Sequence, residues 1–174
     1  MATAIEIDVW LGEIAELEVD ALIIPANESL FMTAGPAVAV KRLGGEEIEL
    51  AAIEQGPINP GAAVATSGGG LAAPYVIHAV AVGHDLIADP QNLNAALRSA
   101  LAFCTPLQLR RVAIAGLGLE RGAFTPDEAA AVTLHALRAH AAENDLPESV
   151  VFALATPTEA RAYAHAAELS RAEV

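Results

Sequence analysis

The chain is poor in several things, and each shortage excludes a class of protein. It has a single cysteine, Cys104, so no disulfide can form within it and nothing points to an oxidising compartment. Aromatic residues make up 4% of the sequence, so a core must be built from alanine and branched aliphatics. Lys and Arg together number 9 against 22 Asp and Glu, a formal net charge of −13. That balance opposes non-specific attachment to nucleic acid or to an anionic membrane. It leaves room for one anionic ligand, because backbone N–H groups can hold a phosphate locally. No apolar run approaches the roughly 20 residues of a membrane helix. The first residues lack a basic region followed by an apolar core, so no secretory signal is expected and a cytoplasmic location is. His135 and His140 are five apart and miss the i, i+4 spacing of a helical metal pair, so no metal and no cofactor are expected.

What is present is a globular composition. Hydrophobic residues make up 54% and charged residues 18% of 174 residues, a length that fits one domain and can bury a core. No repeat, low-complexity tract or linker is visible. The chain is read from residues 19–45. A short apolar run at 21–24 predicts a buried strand, broken by Pro25-Ala26-Asn27. A loop follows, then an apolar-spaced helix from Pro36 to Leu43, stopped by Gly44-Gly45. Such a strand–loop–helix aims backbone N–H groups above the strand, where an anion is favoured. Asn27 stands at the strand's C-terminal end, where open α/β sheets bind ligands. It is equally the kind of residue that builds a plain turn.

The remaining segments alternate in the same way. Residues 4–9 alternate apolar and acidic and predict a half-wet strand, ended by Trp10-Leu11-Gly12. Strands are predicted at 62–66, 75–82, 112–115 and 149–155, and helices at 46–55, from Asp89-Pro90 to about Cys104, after Thr125, and after Thr156. Thr125-Pro126-Asp127-Glu128 and Thr156-Pro157-Thr158-Glu159 are capping boxes with proline at the first helical position. His78 lies inside a near-continuous apolar strand, which predicts a hydrogen-bonded core histidine. Cys104 has no basic neighbour to activate it and is read as a buried, inert thiol. Asp20 is read as a strand-edge acid. The pattern predicts a mixed, mostly parallel sheet covered on both faces.

Several blocks in order resemble the macro domain family, which binds ADP-ribose. Gly12-Glu13-Ile14 followed by Val19-Asp20-Ala21-Leu22-Ile23-Ile24-Pro25-Ala26-Asn27 is similar to its opening motif. Gly61-Ala62-Ala63-Val64-Ala65-Thr66 and Leu71-Ala72-Ala73-Pro74-Tyr75-Val76-Ile77-His78 are similar to its next two segments. Val112-Ala113-Ile114-Ala115-Gly116-Leu117-Gly118, with Gly122 and Phe124 behind, resembles its later strand and second phosphate loop. The resemblance implies a three-layer α/β/α fold spanning residues 1–174 as one macro domain.

It also implies a cleft for ADP-ribose or a related nucleotide, free or carried on an ADP-ribosylated protein. Glu13 and the backbone at Ile14 would meet the adenine, Glu13 standing where the family usually has Asp. The first loop, 32–37, would meet the phosphates and distal ribose through Thr33, Ala34, Gly35, Pro36 and Ala37. It keeps one of the family's several glycines, and Pro36 has no N–H to donate. The second loop would do so through Gly118, Leu119, Glu120, Arg121, Gly122, Ala123 and Phe124. Glu120 stands there in place of a phosphate-facing glycine, and Arg121 is positioned to offset its charge. Asn27 would hold the distal ribose and is the candidate catalytic residue. Ala37 replaces the family's water-activating Asp, Ile24 the earlier asparagine, and Ala155-Thr156 the aromatic that often stacks on adenine. The resemblance therefore leaves open hydrolysis of ADP-ribosyl or O-acetyl-ADP-ribose adducts. It also leaves open a degenerate domain that serves as an interaction module or binds another phosphorylated metabolite.

Overall fold

The computed structural model describes residues 4–172. Six strands form one sheet: β1 (Glu6–Leu11), β2 (Ala21–Pro25), β3 (Ala63–Ser67), β4 (Tyr75–Ala79), β5 (Arg111–Ala115) and β6 (Ser149–Leu154). Their order is β1-β6-β5-β2-β4-β3, parallel throughout except that β3 runs antiparallel to β4 at the edge. Five helices, α1 (Pro36–Gly44), α2 (Glu46–Ile53), α3 (Pro90–Leu101), α4 (Pro126–Glu143) and α5 (Pro157–Ala172), cover it as outer layers, giving the three-layer α/β/α arrangement.

The two faces follow from the two-residue period of a strand. Ile23 of β2, Ile114 of β5, and Val150 and Phe152 of β6 point into a core shared with α3, α4 and α5. Their neighbours Leu22, Ile24, Ala113, Ala115, Val151 and Ala153 point into a second core with α1 and α2. β2 is buried along its whole length, which is why its sequence shows no polar alternation. On the α4–α5 side the ring centroids of Phe152 and Tyr163 lie 5.1 Å apart.

Local chemistry sets the helix starts. The Asp89 side chain caps α3 by accepting from the Gln91 N–H at 2.9 Å. Both halves of the Thr125–Glu128 capping box are present on α4. On α5, Glu159 Oε2 accepts from Thr156 N–H, and Thr156 Oγ1 accepts from Glu159 N–H, both at 3.2 Å. Several predicted boundaries move. β1 lies two residues later than expected because its register is fixed by pairing Glu6 with Ser149 and Leu11 with Leu154. β4 ends at Ala79, although Val80 still donates its N–H to Ala62. α3 ends at Leu101, and residues 102–108 form turns that include Cys104, which is fully buried with its thiol pushed up to about 12 by burial.

Candidate functional site

The five parallel strands all end at the same edge, and the segments that follow them enclose one cleft of about 1040 Å³. Leu11-Gly12 follow β1, Asn27 follows β2, Val82-Gly83-His84 follow β4, Gly116 follows β5 and Ala155 follows β6; all line it. The strand C-terminal edge is where ligands sit in parallel α/β sheets.

Asn27 has a divided role. Its amide Nδ2 donates to Phe31 O at 2.9 Å and so closes the loop that leads to α1. Its Oδ1 is buried and has no partner among the described residues. An unpartnered buried acceptor is costly to leave unmade, and here it stands on the cleft wall. The turn-building and site readings of Asn27 therefore describe different atoms of one side chain.

Thr33, Ala34, Gly35, Pro36 and Ala37 all line the cleft. Gly35, at φ +59, lets the chain turn into α1, and a side chain there would meet open space. Pro36 is the first residue of α1, so its missing N–H costs the helix nothing. Glu49 on α2 tethers this loop from behind: it accepts from Met32 N–H at 2.6 Å and from Lys41 Nζ at 2.8 Å. The Lys41 and Met32 hydrogen bonds hold its carboxyl below the usual carboxylate range.

The second loop is divided between lining and core. Leu119, Glu120 and Arg121 line the cleft, whereas Gly118, Gly122, Ala123 and Phe124 do not. Phe124 is buried in the larger core, and its N–H donates to Gly118 O at 2.9 Å. Gly118 sits at φ +86, with the Phe124 ring 2.8 Å from where a Cβ would be. Its glycine thus serves closure of the loop over Phe124. Both Glu120 carboxylate oxygens are shut off from solvent without a hydrogen-bond partner among the described residues. Burial raises the Glu120 pKa, against a smaller opposing pull from the Glu120 and Gly118 backbone. Burial likewise raises the Tyr163 phenol; the Thr133 hydroxyl pulls the other way, and Glu159 and Glu120 add smaller electrostatic contributions to the rise. Arg121 forms no ion pair with Glu120 and is exposed on the cleft wall at φ +50.

Glu13 and Ile14 line the opposite end of the cleft. Ile14 is buried in the α1–α2 core, and Glu13 is exposed with no hydrogen-bond partner for its carboxylate among the described residues. Glu159, also on the wall, is occupied with the N–H groups of Ala155 and Thr156. Asp20 lies elsewhere, accepting from the backbone of Arg110 and Arg111 at the start of β5. His78 is buried away from the cleft lining, with Nε2 3.0 Å from Thr66 Oγ1, and burial pushes its pKa down to about 4. Among the described residues no group of three or more His, Cys, Asp or Glu could hold a metal ion.

Sequence reasoning missed Phe31, Arg42, His84 and Leu86, all of which line the cleft. Arg42 carried a signal: it stands four residues after exposed Val38 on α1, so the two share a helix face. Like Arg121, it has no carboxylate partner among the described residues, in a chain of net charge −13.

A six-stranded mixed sheet between helical layers, with a cleft across the ends of its parallel strands, defines an α/β ligand-binding architecture. The chain belongs to the macro domain family, which residues 23–133 match. It is 37% identical over 134 residues to an uncharacterized protein of Aquifex aeolicus, spanning 76% of this chain and 81% of that one. It is 33% identical over 162 residues to an uncharacterized protein of Mycobacterium tuberculosis, spanning 93% of this chain but 45% of that one. The chain thus spans under half the length of that relative. In fold it is similar to the Trypanosoma brucei macrodomain solved in complex with ADP-ribose. That likeness has a TM-score of 0.86 at 21% identity, over 93% of this chain and 69% of that one. No helix among the described residues is long and apolar enough to cross a membrane.

Proposed function

We propose that this chain, as one macro domain over its 174 residues, binds ADP-ribose or a related ADP-ribosyl nucleotide in the cleft at the strand ends. The observation that carries the reading is the buried, unpartnered Oδ1 of Asn27 on the same wall as the first loop. A ribose hydroxyl donating to that atom satisfies it. In this reading the adenine lies at Glu13 and Ile14, and the diphosphate between the backbone of 33–37 and Leu119, Glu120 and Arg121. Arg42 and Arg121 supply positive charge without having to break an existing ion pair. Burial favours the neutral form of the Glu120 carboxyl, the form that does not repel a diphosphate. Ala37 is buried and carries no polar side-chain atom, so it supplies no group to activate water. Binding, rather than hydrolysis, is therefore the function proposed. A cytoplasmic setting, with no nucleic-acid or membrane partner, fits the charge. Titration calorimetry with ADP-ribose tests the reading: saturable one-to-one binding supports it, and AMP binding equally well would move the site away from Asn27.

A further inference from the structure

The end of the cleft beside Asn27 is built unlike the rest. Two loops meet there, residues 27–32 after β2 and residues 83–87 after β4. The His84 N–H donates to Glu28 Oε2 at 2.7 Å, and His84 Nε2 lies 3.4 Å from Ser29 Oγ. Within the second of these loops, Leu86 N–H donates to Gly83 O, and Ile87 N–H donates to Asp85 Oδ1 at 3.0 Å. The joined loops are thus held in place by named bonds.

What they hold out is apolar. Phe31 is 52% exposed, Leu86 42% and Ile87 63%. Leu86 sits at φ +59 and Leu30 at φ +65, a left-handed backbone that side chains of this kind rarely adopt. The two strained leucines have opposite outcomes. Leu30 turns into the interior, where it is 1% exposed, and the next residue, Phe31, is left facing out. Leu86 itself stays on the mouth. Backbone strain of this kind persists where the surroundings over-determine it, commonly at binding sites.

The acids Glu28 and Asp85 belong to these two loops and each accepts a loop N–H, whereas the arginines Arg42 and Arg121 lie on the cleft wall together with Glu13, Glu120 and Glu159. In the ADP-ribose reading the ribose, not the adenine, lies at this end, and a ribose offers little to cover three apolar side chains beside two acids.

We propose that this rim docks the polypeptide to which the nucleotide is attached, selecting an apolar residue flanked by a basic one next to the modified side chain. The proposal rests on the ADP-ribose reading of the cleft. The apolar residue of the peptide covers Phe31, Leu86 and Ile87, and its basic residue faces Glu28 and Asp85. Ile87 is the residue to change, because it is exposed and does not line the cleft. Its N–H bond to Asp85 uses only the backbone and survives substitution.

The test is calorimetry on the full chain and on Ile87→Ser, with three probes. These are ADP-ribose, a synthetic peptide bearing one serine-linked ADP-ribose between leucine and arginine, and the same modified peptide with the leucine replaced by serine. The wild-type chain is expected to bind the leucine peptide about 10-fold more tightly than ADP-ribose, the scale of covering one or two apolar side chains. Ile87→Ser is expected to lose most of that gain with its ADP-ribose affinity unchanged, and the serine peptide to show little gain on either chain. Equal affinities of the wild-type chain for ADP-ribose and both peptides would overturn the rim and leave the cleft standing. So would a rim closed by a second copy of this chain, seen as a dimer in sedimentation that Ile87→Ser dissolves. Failure to bind ADP-ribose and both modified peptides would remove the nucleotide reading and the rim with it.

Discussion

Asn27→Ala separates the two halves of one amide. The substitution removes the Nδ2 bond to Phe31 O, 2.9 Å long, and with it about 0.5–1.5 kcal/mol of net stabilisation. It also removes Oδ1, a buried acceptor without a partner, whose cost in the unliganded chain is about 1–3 kcal/mol. The two changes oppose each other. The net change lies between about −0.5 and +2.5 kcal/mol of stability, so for a chain of this size, where 1 kcal/mol moves the melting temperature by about 2–4 °C, Tm should fall by no more than about 2 °C and rise by no more than about 10 °C. Binding has no such offset. The hydroxyl that donates to Oδ1 in the complex loses its acceptor, which costs about 1–2 kcal/mol, or about 5- to 30-fold in Kd. Calorimetric titration with ADP-ribose and a thermal melt, both on the same preparation, measure the two quantities. A Tm lowered by more than about 5 °C with unchanged affinity would refute the reasoning. Asn27 would then be a loop-closing residue alone.

Two further outcomes follow from buried ionisable groups. Burial raises the folded-state pKa of Glu120, so the unfolded chain gives up this proton more readily. The stability linked to it is full at pH below about 4.5 and is lost as pH rises through the raised value. Glu120→Gln should therefore raise Tm by a few degrees at pH 7.5 and have little effect at pH 4; an equal effect at both would contradict the burial of the acid. His78 has the opposite sign: its folded value of about 4 lies below the ordinary 6.5, so stability is full above about pH 6.5 and falls as protons bind the unfolded chain. Between pH 7.5 and 5 this amounts to about 2 kcal/mol. Urea unfolding of His78→Gln should show a correspondingly flatter pH dependence, and an unchanged slope would remove His78 as its source.

The readable parts of the chain were those set by neighbouring residues. The capping boxes of α4 and α5 predict helix starts because threonine and glutamate three apart satisfy each other's backbone. β2 and β5 read as buried strands because both their faces pack on helices, which leaves a continuous apolar run. β1 was displaced by two residues because its limits are set by β6, more than a hundred residues away. The cleft was half legible. The run after β2 pointed to Asn27 and the 33–37 loop, but the turning of Nδ2 toward Phe31 depends on the loop's path. Phe124 resembled a site residue by motif, yet it is core, because Gly118 lets the loop close over the ring. Arg42 and His84 come from different elements and come to line one cleft only when the strands end side by side.

The central claim is that the strand-end cleft holds the ADP-ribosyl unit. Calorimetric titration of the chain with ADP-ribose, in parallel with AMP and ribose 5-phosphate and repeated at several temperatures, tests it most directly. The account predicts saturable one-to-one binding of ADP-ribose that is tighter than either fragment and weakened by Asn27→Ala. No heat at any temperature with ADP-ribose raised to about 1 mM, the concentration at which about −4 kcal/mol of binding becomes visible, would contradict it.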